Sequence, residues 1–201
     1  MLPVTTALIA ANVAMFFLQA FAPGVVDALA LWPLGGASAG GAGNFGLWQL
    51  VTYAFLHGGL FHLAFNMFAL YMFGAAVERV FGPQRYLTYY FVCVVSAAIT
   101  QLIFASVTGM FYPTVGASGG VFGLLLAYAM YFPNSRIMLL FPPIPMPART
   151  FVLVYAAVEL FLGVSNAQGG VAHFAHLGGL IGGFALLHHW RAASNRGGSM
   201  R

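Results

Sequence analysis

Apolar runs long enough to cross a bilayer follow one another along this chain, and arginine occurs only at alternate breaks between them. Six runs can be drawn, at about residues 2–21, 60–80, 85–107, 118–132, 150–164 and 170–190, with Gly or Pro at the junctions. Arg79 and Arg85 fall between the second and third. Arg136 and Arg149 fall between the fourth and fifth, and Arg191, Arg196 and Arg201 follow the sixth. With six spans, all seven arginines lie on one side, and adding or dropping a span would scatter them. The positive-inside rule makes that side the cytoplasm and places both termini there. Charged residues are 5% of the 201, too few to coat a water-facing surface. The expected fold is an all-α membrane protein: a single domain over 1–201, built as a six-helix bundle.

The other residues narrow the class further. The arginines are scattered at segment ends rather than gathered in a patch, which argues against a nucleic-acid partner. Cys93 is the one cysteine, so no intrachain disulfide can form. The first run has no Lys or Arg before it, which favours a retained span over a cleaved signal peptide. The long link at 22–59 carries Trp32, Phe45 and Trp48 around "GGASAGGAG". So apolar a segment is expected to lie at the outer membrane interface rather than float as a linker. The tail "SNRGGSMR" reads as frayed.

Polar side chains inside a bilayer are costly and turn toward the bundle interior, so each is a candidate functional group. Depth follows from counting up from the arginines at 1.5 Å per residue. Ser118 lies 18 residues before Arg136, roughly 24 to 27 Å up. His176 lies 15 before Arg191, roughly 22 Å up. His62 and Asn66 lie 17 and 13 before Arg79, roughly 25 and 20 Å up, on one face of the second span. Three spans thus bring polar groups to one level, below the outer face of a core about 30 Å thick. The fourth run is too short to cross alone. Ser118 is therefore expected at a helix N-terminus sunk beneath that face, beside a water-filled cavity.

A serine hydroxyl becomes a nucleophile when a base takes its proton. The chain has no lysine, Asp27 lies in the long link, and Glu78 neighbours Arg79 far below. Glu159, ten residues after Arg149, counts to roughly 15 Å and falls short of the serine. It is expected to hydrogen-bond within the bundle or to be protonated by burial. His176 remains as general base. The pairs Gly178/Gly182 and Gly179/Gly183 would let the sixth span approach "GASGGVFG" of the fourth and bring His176 to Ser118. Donors for an oxyanion are the Ser118 N–H at the helix start, the Asn66 amide and the His62 imidazole.

At these residues the chain resembles the rhomboid family of intramembrane serine proteases. The resemblance rests on "HLAFNM" at 62–67, "GASGG" at 116–120 and "AHLGGLIGG" at 175–183, with "WQLVTYAFLHGG" at 48–59 and "GAAVERVFG" at 74–82. It implies a six-helix bundle with Ser118 as nucleophile, His176 as base and acid, and His62 and Asn66 assisting the oxyanion. It also implies a Ser–His dyad without an acidic third member, no metal or nucleotide cofactor, and transmembrane-helix substrates cut near their outer ends. The loop before the second span would lie in the outer leaflet, and the fifth span with the cap over the site would gate substrate access. A bacterial inner membrane is the expected location. Many relatives carry Trp-Arg where this chain has Trp48-Gln49, which puts an arginine-anchored loop in doubt. Two other readings stay open at this stage. A rhomboid-like protein could bind transmembrane helices without cutting them, or His57, His62, His173 and His176 could ligate a metal or haem. Oligomeric state is not legible.

Overall fold

A computed structural model describes residues 2–22, 24–35, 43–138, 143–165 and 172–198. Among the described residues, the fold is all-α apart from one short hairpin. Helix α1 spans Pro3–Phe21, α2 Gly24–Leu29 and α3 Gln49–Thr52, the last followed by a 3₁₀ turn at Tyr53–Phe55. Next comes one 22-residue rod, Leu60–Phe81, made of α4 (Leu60–Ala69), a π-helical stretch (Leu70–Gly74) and α5 (Ala75–Phe81). Helix α6 covers Pro83–Thr108 and α7 Ser118–Tyr131. The hairpin pairs β1 (Arg136–Met138) antiparallel with β2 (Pro145–Pro147), Ile137 opposite Met146. Helices α8 (Ala148–Ser165) and α9 (His173–Gly198) complete the chain. Four of these rods are long and apolar enough to cross a bilayer: α1, Leu60–Phe81, α6 and α8. Large apolar side chains on their outer faces, such as Phe17, Phe61, Ile103 and Phe161, stand bare. That surface is stable against lipid tails and not against water. The chain is an integral, multi-pass membrane protein.

The rods match the expected runs to within a few residues where both are described. The expected start of the sixth at Gly170, most of "GGASAGGAG" and Arg201 lie outside the described residues. The hairpin falls inside the Pro-rich link between α7 and α8. One local expectation changes. The tail is helical further than expected, because α9 runs past Trp190 to Gly198.

Helix α6 is the hub. Tyr86, Tyr89, Tyr90, Cys93, Val94, Ala97 and Ala98 recur at helical spacing and are buried. Small residues on that face receive glycines from its neighbours. A methyl group on Gly119 or Gly123 of α7 would strike Ala97 or Cys93, and one on Gly178 or Gly182 of α9 would meet Thr100 or Ser96. Ser96 Oγ donates to Gly178 O at 2.8 Å. Of the four glycines expected to seat α9 on α7, only Gly179 does so. Its methyl would overlap the carbonyl of Gly119. Gly178 and Gly182 face α6, about 100° around the helix from Gly179 and Gly183, and Gly183, on the Gly179 side, meets Tyr89 and Cys93 of α6.

The link between α1 and α4 is folded rather than loose. Gln49, 1% exposed, accepts from Trp32 N–H at 3.1 Å and donates to Ala28 O at 3.3 Å and Asn44 O at 3.0 Å. Where an arginine was in doubt, a neutral amide ties three turns of this loop. Trp48 Nε1 donates to Ala28 O at 2.9 Å, and Thr52 Oγ1 to Leu29 O at 2.8 Å. Leu31 and Thr114 exchange both backbone hydrogen bonds, 3.0 and 2.9 Å, and Gly116 N–H donates to Tyr53 O at 3.0 Å. The loop therefore holds the extended strand of chain that delivers Ser118.

At the opposite end, Glu78 closes the start of α1. Its carboxylate accepts from Val4 N–H at 3.0 Å and from Thr5 N–H at 2.8 Å and Thr5 Oγ1 at 2.7 Å. Pro3 has no N–H, and Thr6 N–H reaches Leu2 O at 3.1 Å. The positions from Pro3 to Thr5, which have no acceptor within the helix, are thereby settled.

Candidate active site

Ser118 opens α7. As the first residue of the helix its N–H has no intrahelical acceptor. Two residues earlier, Gly116 has φ +130°, a conformation that side-chain-bearing residues rarely adopt. A methyl there would lie 2.8 Å from the His62 ring and 3.7 Å from Ser118 Oγ. The glycine is thus required twice, for its backbone and for the room it leaves.

His176, one turn into α9, places Nε2 2.8 Å from Ser118 Oγ. Its ring stacks on Phe122 of α7, centroids 4.4 Å apart and planes 7° from parallel. Phe122 in turn stacks on Tyr155 of α8 at 5.3 Å. Aromatic faces thus fix the imidazole plane while Ser118 and α9 fix its position. A nitrogen at that distance can take the hydroxyl proton as the oxygen attacks a carbonyl.

On the other side of Ser118, His62 accepts from Gly58 N–H through Nδ1 at 3.3 Å. That leaves the ring proton on Nε2, the nitrogen beside Gly116. Asn66, one turn along and 6% exposed, donates one amide hydrogen to His62 O at 2.9 Å. Its other amide hydrogen is free of that bond. His57 packs edge-on to His62, centroids 5.0 Å apart. Burial, with the His62 ring alongside acting in the same direction, lowers His57 to about 4, so its ring is neutral at physiological pH.

The acidic residue stands closer to this pair than its height counted along the chain suggests. Glu159 of α8, 5% exposed, brings Oε2 to 2.9 Å from His176 Nδ1 and to 2.6 Å from His173 Nδ1. Backbone height counted from Arg149 leaves out the reach of the side chain and the hairpin from which α8 rises. The sequence did hold a signal: an acid inside an apolar span needs a polar partner at its own depth, and the two histidines of α9 supply it. Among the described residues, Glu159, His173 and His176 are the group whose donor atoms could meet a cation, all within 4.8 Å. Contacts of 2.6 and 2.9 Å are those of shared protons, and the outer nitrogen of His176 is already turned to Ser118. His57 and His62 do not join this cluster.

Fold and site together define a class: a helical membrane protein whose interior holds a serine–histidine pair at the start of a short, glycine-lined helix. Comparison with known proteins agrees. The rhomboid domain model matches residues 44–191. The chain is 34% identical over 176 residues to the Rhomboid protease GluP of Bacillus subtilis, covering 88% of this chain and 32% of that protein. It is 29% identical over 144 residues to the mitochondrial Rhomboid protein 1 of Saccharomyces cerevisiae, 71% of this chain and 41% of that one. It is 37% identical over 140 residues to RHOMBOID-like protein 4 of Arabidopsis thaliana, 69% and 33%. The chain belongs to the rhomboid family, and it spans about a third to two fifths of the length of these relatives.

Proposed function

We propose that this chain is a serine endopeptidase that cuts transmembrane-helix proteins within the bilayer, near the non-cytoplasmic face. The observation that carries the reading is the 2.8 Å contact of His176 Nε2 with Ser118 Oγ in the interior of an apolar bundle. Ser118 Oγ attacks the scissile carbonyl carbon, its proton passes to His176 Nε2, and the carbonyl π electrons move onto oxygen. The Ser118 N–H, the His62 Nε2–H and the Asn66 amide are the oxyanion donors. Each such donor is typically worth about 10²–10³ in rate. Collapse breaks the C–N bond as His176 returns the proton to the leaving amine. Water, activated by the same nitrogen, then releases the acyl chain. No metal or cofactor enters these steps.

A membrane helix hides its peptide bonds in its own hydrogen bonds, so a substrate must unwind before it is cut. Unwinding is easiest near the interface, the level at which Ser118 is proposed to lie. Six spans, with the arginine-bearing end in the cytoplasm of a bacterial inner membrane, fit this arrangement as one domain over 1–201. The test is cleavage of membrane-anchored reporters. Ser118→Ala and His176→Ala are expected to lose at least about 10⁴-fold in turnover while still folding. Undiminished cleavage by Ser118→Ala would refute the reading. Loss of wild-type cleavage on stripping metal would point instead to the histidine–carboxylate cluster as a cation site.

A further inference from the structure

We infer that Glu159 is a positioning residue for the proposed reaction, acting through His176 so that the unit is Ser118–His176–Glu159 rather than a two-residue pair. The inference rests on the protease reading above and adds a residue to it. The geometry carries it. One carboxylate oxygen, buried and borne on a third helix, receives the nitrogen of His176 opposite to the one that faces Ser118.

The proton positions follow from what each atom can do. His173 is 5% exposed, and its Nε2 has no hydrogen-bond partner among the described residues. If the His173 proton were on Nε2, a buried N–H would be orphaned, which costs more than leaving a lone pair bare. The His173 proton therefore belongs on Nδ1, pointing at Glu159 Oε2. With His173 donating to that oxygen, the carboxylate in its ionised form accepts from His176 Nδ1 as well. His176 is thus held with hydrogen on Nδ1 and a lone pair on Nε2, the only neutral form that can take the Ser118 proton. When it does, the imidazolium sits beside a carboxylate 2.9 Å away, and the developing positive charge is stabilised where it forms. Glu159 gains no proton in the step; the hydrogen on Nδ1 stays on the ring. His173 holds the carboxylate from the far side, so the short 2.6 Å contact keeps Oε2 from swinging away.

The test compares Glu159→Gln with wild type, since Gln keeps the side chain's shape and removes its charge. Active sites are counted by burst titration, and serine reactivity is read as the rate of labelling by a fluorophosphonate. Per active site, Glu159→Gln is expected to lose about 10²-fold or more in kcat and in labelling rate. KM should stay within about threefold and the unfolding midpoint close to wild type. A merely structural role would instead reduce the number of titratable sites and the midpoint, with kcat per site intact, and that result overturns the inference. So does a Gln variant that labels within about threefold of wild type while Ser118→Ala is dead; the protease reading then stands. If Ser118→Ala itself still cleaves, the protease reading falls first. Should the Gln variant not fold, ¹⁵N spectra of histidine-labelled wild-type protein decide, with His176 assigned through His176→Gln. Hydrogen on Nδ1 of His176 supports the inference, and hydrogen on Nε2 overturns it.

Discussion

Gly179 carries more of the site than its size suggests. It meets Gly119 backbone to backbone, so α7 and α9 touch with no side chain between them. Only that contact lets an imidazole on one helix reach a hydroxyl on the next at 2.8 Å. A single methyl at 179 would overlap the carbonyl of Gly119, a main-chain atom that cannot rotate aside. Gly179→Ala is therefore expected to cost about 1–3 kcal/mol of stability. Because it also drives Ser118 and His176 apart, fluorophosphonate labelling should slow by more than tenfold. Denaturant melts and labelling kinetics of the purified variant check both. Wild-type values in either would show that the two helices can part without moving the site.

Among the elements, the folded link from α2 to the 3₁₀ turn is the one whose behaviour can be tested alone. Gln49 serves three backbone partners at once, and all three lose their bond if the amide is removed. Gln49→Ala is expected to loosen this loop by about 1–3 kcal/mol, the cost of leaving buried polar groups unsatisfied. Hydrogen exchange should quicken at Trp32 while α6 stays protected, and cleavage should weaken because Leu31 no longer steadies Thr114. Unchanged exchange at Trp32 would refute it. The same loop shows what the sequence could and could not tell. The long rods were legible because apolar length and Gly/Pro breaks are local properties. Ser118, His176, His62 and Asn66 were legible because few polar residues interrupt those runs. The partners of Gln49 and Glu159 were not, since both depend on how separate segments stack and on side-chain reach. Even the glycine pairs of α9 told only that something comes close; Thr100, Ser96 and Cys93 of α6 show what.

For the whole molecule, one end differs from the other. Arg85 lies over the Trp190 ring and Arg191 over Tyr131, each 5.8 Å from the centroid, and Phe81 touches both rings. Cations set on aromatic rings at one pole suit a membrane–water boundary. The proposed orientation puts that pole inside the cell and the Trp48 loop outside. Cys93 is fully buried, so introduced cysteines can be read against it. Leu47→Cys should react with an impermeant maleimide on intact cells, and Ser135→Cys only in inverted vesicles. The reverse pattern would overturn the topology. Glu78, which lies near that pole, has a consequence for assembly. The residue that finishes α1 is 74 positions downstream of Val4. As the chain emerges from the ribosome, α1 must wait for α5, with only water at the membrane boundary to bond the Val4 and Thr5 amides. Its docking is thus a late step of biogenesis, and a chain stalled before residue 78 would hold α1 only as a loose passenger of the translocon.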